Sequence, residues 1–109
     1  MKSILDCARQ LRAQPLKPAQ VTVRHAWPPS WDAPLKGAWV LIQPWEFGAL
    51  PKEWVANLAR VDEVWVPSSY VRRVYVDSGV EPRKVHVVPN GIDPNVFQPG
   101  AKPMALATN

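Results

Sequence analysis

Between Ala38 and Val88, short runs of apolar and β-branched residues alternate with amphipathic segments, and no other feature restricts the fold as tightly. Ala38-Trp39-Val40-Leu41-Ile42-Gln43 is apolar until Pro44 halts it, which predicts a strand buried on both faces of a parallel sheet. After Pro51, Trp54, Leu58 and Val61 share one side with Val55 beside them, while Lys52, Glu53, Asn57 and Arg60 point away. That is an amphipathic helix, and a proline is tolerated in its first turn, where its missing N–H has no partner to lose. Glu63-Val64-Trp65-Val66 is the next strand, ended by Pro67. Ser68 or Ser69 caps a second helix with Val71, Val74, Tyr75 and Ser78 turned inward, and Gly79 followed by Val80 closes it. Val85-His86-Val87-Val88 is a last strand, stopped at Pro89. Strand, helix, strand, helix, strand with short links predicts an α/β fold whose parallel sheet has right-handed crossovers.

The segment before Ala38 adds less. Ile4, Leu5, Ala8, Leu11 and Arg12 have near-helical spacing behind Ser3 as N-cap, and Pro15 and Pro18 end that helix. Val21-Thr22-Val23-Arg24-His25 is a strand, and Trp27-Pro28-Pro29-Ser30-Trp31 opens a stiff irregular loop reaching Lys36-Gly37. The expected architecture is a partial doubly wound parallel sheet, the βαβαβ half of a Rossmann-like domain. Its expected organisation is an N-terminal helix and linker over 1–18, the sheet domain over 19–93, and a linker over 94–109 leading to a second domain.

Composition excludes several classes. A hydrophobic share of 47% fits a globular chain rather than a disordered one. The net charge of +4 is dispersed, with Arg72-Arg73 as the adjacent arginine pair, so the chain lacks the clustered basic stripe of a nucleic-acid binder. The lone Cys7 excludes an internal disulfide and a cysteine-built zinc site, in keeping with a reducing, cytoplasmic setting. Asp6 and Arg9 interrupt the N-terminal apolar residues too early for a signal peptide. No run approaches the ~20 apolar residues of a membrane span, which leaves at most peripheral membrane association.

Parallel strands send every following loop to one sheet edge. Gln43 to Leu50, Pro67 to Ser69 and Pro89 to Asp93 therefore converge, joined by His25 if the first strand is also parallel. The carboxyl edge of an open α/β sheet is where ligands bind. Asn90-Gly91 supplies two residues that tolerate positive φ, suited to a turn that ends the sheet.

Val87-Val88-Pro89-Asn90-Gly91-Ile92-Asp93 followed by Phe97-Gln98-Pro99 resembles the end of the N-terminal domain of family 4-type (group 1) glycosyltransferases. Val64-Trp65-Val66-Pro67-Ser68-Ser69-Tyr70-Val71-Arg72 through Ser78-Gly79-Val80 resembles the strand and helix that precede that turn. Val23-Arg24-His25-Ala26-Trp27-Pro28-Pro29 and Ile42-Gln43-Pro44-Trp45-Glu46-Phe47-Gly48 are similar to a bacterial subset of the group. The resemblance covers residues 19 to 99 and implies the GT-B fold, with two Rossmann-like domains across a cleft. It implies retaining transfer of a sugar from a nucleotide-sugar donor to a hydroxyl acceptor, with no metal or other cofactor. The family's spaced glutamate pair belongs to the second domain; Glu46 and Glu53 have a different spacing, and the N-terminal glycine-rich loop is absent. The chain is thus expected to be a fragment that supplies the acceptor side.

Five residues are the cleft-lining candidates, with no catalytic assignment: His25, Glu46, Ser69, Asn90 and Gly91. His25 is either an acceptor-side polar group or a hydrogen-bonded structural histidine; His86, in mid-strand, reads as structural. Glu46 stands between Trp45 and Phe47, where rings stack on apolar sugar faces and a carboxylate accepts from hydroxyls; the competing reading is a solvated loop residue. Ser68 and Ser69 offer a helix N-terminus to an anion, although capping alone explains them. Asn90 and Gly91 either present backbone N–H groups to substrate or merely end the sheet, and Arg72 or Arg73 either reaches the cleft or is solvated. Two other functions remain open: a non-catalytic module binding a carbohydrate or a protein, and a binder of anionic ligands or nucleic acid through Arg72-Arg73.

Overall fold

The computed structural model describes residues 3–13, 18–100 and 102–105. Strands β1 (Val21–Arg24), β2 (Ala38–Ile42), β3 (Glu63–Val66) and β4 (Val85–Val87) form one parallel sheet in chain order. Helix α2 (Lys52–Leu58) joins β2 to β3, and α3 (Ser69–Asp77) with a short 3₁₀ turn (Pro82–Lys84) joins β3 to β4. The expected α/β sheet is present, Rossmann-like in its parallel strands and helical crossovers.

Register decides which side chains share a face. Val23 stands beside Val40, Val40 beside Glu63, and Trp65 beside His86. Side chains alternate along each strand, so Trp39, Leu41, Val64, Val66 and Val85 point to the other face. There they meet Leu58, Val61, Val71, Tyr75 and Val80 in one buried cluster. Each fully buried Leu or Val contributes roughly 1.5–3 kcal/mol relative to exposure. Asp62 clips the start of β2: its carboxylate accepts from Trp39 N–H at 2.7 Å, and its own N–H donates to Trp39 O at 3.0 Å.

Helix ends follow local chemistry. Pro51 occupies the N-cap of α2, one residue outside the helix, and its carbonyl accepts from Trp54 N–H at 3.0 Å. Ser68 caps α3, its Oγ accepting from Val71 N–H at 3.2 Å. At the other end Gly79 takes φ +106, Val80 N–H donates to Tyr75 O at 3.1 Å, and Gly79 N–H donates to Val76 O at 2.9 Å. These two bonds make a Schellman motif, with Val80 as its buried hydrophobic stop. Lys84 Nζ donates to Ala59 O and Val61 O, each at 2.8 Å, tying the approach to β4 onto the end of α2.

Helix α1 (Ile4–Arg12) starts where expected: Ser3 Oγ accepts from Asp6 N–H at 3.2 Å and donates to Asp6 Oδ2 at 2.9 Å. Ile4 and Leu5 of this helix are exposed and lie outside the core. The expected role of Pro15 lies outside the described residues, as do Leu106 to Asn109 of the expected linker.

Candidate functional site

All four strands being parallel, the residues that follow them lie on one edge, as the alternation predicts. Adjacent strands are ~4.8 Å apart, so the ends of β1 and β4 stand roughly 14 Å from each other. That spacing splits the candidates into two groups.

The loops after β1 and β2 come together through aromatic rings. Trp54, on α2, is the hub: its ring lies 4.9 Å from Trp45, 5.8 Å from Trp27 and 5.8 Å from Trp31, centroid to centroid. Trp27 and Trp45 also approach each other at 6.5 Å, and Phe47 packs edge-on to Trp45 at 5.2 Å. Trp45 is fixed further by its indole N–H, which donates to Ala49 O at 3.1 Å. Arg60 donates to Trp31 O at 3.0 Å and holds the β1–β2 loop against α2. The result is a cleft of about 470 Å³ lined by Trp27, Pro44, Trp45, Glu46 and Phe47. Trp27 is 69% exposed and Phe47 64%, so both rings present surface to solvent. Glu46, the one charged residue lining the cleft, is exposed and has neither ion pair nor hydrogen bond with the described residues.

The other candidates are not among the residues that line this cleft. His25 is exposed at the end of β1, two positions before Trp27. Ser69 is the exposed first residue of α3, and the cap is Ser68 instead. Asn90 and Gly91 are exposed beyond β4 and neither adopts positive φ, so the chain leaves the sheet without the left-handed turn these residues would permit. Arg72 does not reach the edge: its Nε donates to Val85 O at 2.9 Å and its Nη2 to Pro82 O at 3.1 Å. His86 lies on a sheet face with Nε2 3.9 Å from Glu63 Oε2. Among the described residues no His, Cys, Asp or Glu side chains cluster as a metal site.

Gln43 was not among the expected site residues. It closes β2 at the same edge and is 1% exposed. Its backbone is fully used, the N–H donating to Trp65 O at 3.1 Å and the carbonyl accepting from the Tyr75 hydroxyl at 3.2 Å. Its Oε1 is buried with no partner among the described residues, a costly state for a core amide. Burial likewise pushes the Tyr75 hydroxyl pKa well above its ordinary value. A polar residue ending an otherwise apolar run was the available sequence signal for Gln43; for the Trp27 wall it was the Trp-Pro-Pro-Ser-Trp string.

The protein-family model described as Glycosyltransferase Family 4 matches residues 2–96. The chain belongs to glycosyltransferase family 4. No curated protein and no solved structure matches it. In this family-4 chain the aromatic cleft occupies the carboxyl edge of the sheet, the position at which α/β folds bind ligands. No helix among the described residues is long and apolar enough to cross a membrane.

Proposed function

We propose that this chain forms the acceptor side of a retaining glycosyltransferase that moves a sugar from a nucleotide-sugar donor to a hydroxyl acceptor. The observation that carries the reading is the aromatic cleft with its free carboxylate, at the ligand-binding edge of a family-4 fold. Transfer breaks the bond from the anomeric carbon to the phosphate oxygen, which leaves with the electron pair, and joins that carbon to the acceptor oxygen, whose proton passes to the departing phosphate. Glu46 and His25 stand on the acceptor's side of this exchange. Ser69, Asn90 and Gly91 line the farther part of the same edge, facing a second domain that holds the donor. Positive side chains and helix dipoles of that domain stabilise the departing phosphate. The working location is the cytoplasm, consistent with the single free Cys7.

A second reading is a carbohydrate-binding module without transferase activity. It draws on the cleft itself, whose lining residues all come from this chain. Incubating the protein with a panel of nucleotide sugars and saccharide acceptors, and assaying release of nucleoside diphosphate, separates the two. Acceptor-dependent release from the protein joined to a donor-binding domain is the expected result. Saccharide binding with no release in that joined form favours the module.

A further inference from the structure

We propose that the Trp27–Phe47 cleft binds a neutral pyranose ring of the acceptor and discriminates against acidic sugars and phosphorylated acceptors. The inference rests on the acceptor-side reading above and specifies its substrate class.

Three features decide the ligand chemistry. First, the walls are flat and apolar. Trp27 and Phe47 are both exposed, with ring centroids 6.5 Å and 5.2 Å from that of Trp45, and Trp27 is braced by Trp54 at 5.8 Å. A pyranose presents C–H groups on its ring faces and hydroxyls at its rim, so it stacks on such walls while its rim stays hydrogen-bonded. Second, polar complementarity is at hand. The Glu46 carboxylate accepts from hydroxyls, and Trp27 Nε1–H donates to none of the described residues. Together they offer one acceptor and one donor to a rim that carries both.

Third, the charge has one sign. With Glu46 as the sole charged residue lining the cleft, a carboxylate or phosphate entering it meets a like charge. The same repulsion disfavours the donor's pyrophosphate here, which suits the cleft to the acceptor ring. A cleft of about 470 Å³ holds one or two pyranose rings, within the ordinary range of small-molecule sites.

Saturation-transfer NMR on the full 109-residue chain tests this, with methyl glucoside, methyl galactoside and cellobiose as neutral probes and glucuronic acid and glucose 6-phosphate as acidic ones. Neutral probes are expected to bind with Kd on the order of 1 mM, a weak site of about 4 kcal/mol. Acidic probes are expected at least roughly ten-fold weaker. Trp27→Ala and Phe47→Ala each weaken the neutral probes roughly ten-fold, with a retained cooperative urea transition and far-UV circular dichroism spectrum reporting an intact fold. Glu46→Gln narrows the gap between neutral and acidic probes, a readout that a purely packing role would not move.

Equal binding of neutral and acidic probes, or neutral binding that survives Trp27→Ala, overturns the proposal. A joined enzyme that transfers sugar while Trp27→Ala leaves the acceptor KM unchanged defeats this inference alone. Ring binding at Trp27 without any transfer defeats the transferase reading and leaves the pyranose site standing.

Discussion

The Tyr75 hydroxyl of α3 donates to the backbone carbonyl of Gln43, 3.2 Å away at the end of β2. This bond anchors the root of the loop that carries Trp45, Glu46 and Phe47. Tyr75→Phe strands a buried carbonyl and is expected to lower stability by about 1–2 kcal/mol, read as a lower urea midpoint. The pH dependence has a definite sign. Burial favours the neutral phenol, so its contribution is complete below the ordinary tyrosine pKa of about 10 and declines as pH climbs through the raised folded value. Urea midpoints at pH 8 and pH ~11 are expected to differ more for the parent chain than for Tyr75→Phe.

Three glycines make an ordered series. At Gly37, φ is +84 and an added Cβ would stand 2.4 Å from the carbonyl oxygens of both Ala19 and Gln20. At Gly79, φ is +106 but the nearest atom, in Val55, would be 3.7 Å away. Gly91 has neither constraint. Gly79→Ala is expected to cost about 1–2 kcal/mol from backbone strain alone, Gly37→Ala more than that, and Gly91→Ala close to nothing. Thermal unfolding of the three variants gives the ranking directly, and a costly Gly91→Ala would contradict it.

The two serines that open α3 are distinguishable by substitution. Ser68→Ala removes the Oγ that accepts from Val71 N–H and is expected to cost about 1 kcal/mol. Ser69→Ala, at an exposed helical position, is expected to be neutral within about 0.5 kcal/mol in the same denaturation experiment.

Gln43 presents an unusual expectation for a buried residue. Its Oε1 is sealed from water without a partner among the described residues, so Gln43→Met keeps the volume and deletes the unsatisfied group. Chemical denaturation is expected to show the variant as stable as the parent or more stable, by up to about 1 kcal/mol. A marked loss of stability would mean that the amide is satisfied after all.

The parallel sheet was legible because each local signal agreed with the next. Pro44, Pro67 and Pro89 bracket the apolar runs, and Gly79-Val80 carries the helix stop within the sequence itself. The site was legible only in outline. The place of Glu46 at this cleft was legible because strand-ending loops share an edge and its neighbours in sequence are aromatic. Trp27 was passed over as a wall because its contacts with Trp45 and Trp54 join separate parts of the chain, and linear spacing carries no trace of them. Arg72 could be read either as reaching the cleft or as solvated, and neither reading anticipated that its guanidinium is taken up by the carbonyls of Pro82 and Val85. Asn90-Gly91 advertised a backbone freedom that its φ angles do not use.

Strand order bears on how the chain reaches this state. Every strand pairs with the one that precedes it in sequence, so β2 is laid against β1, β3 against β2 and β4 against β3. The connecting loops are modest in length, and the entropy lost in closing each grows only slowly with the number of residues spanned. A chain leaving the ribosome from its N-terminus therefore meets a ready template at each step and lengthens its sheet along a single growing margin. None of these four strands waits for a distant partner, which keeps non-local pairing, the slow part of parallel-sheet assembly, to a minimum among them.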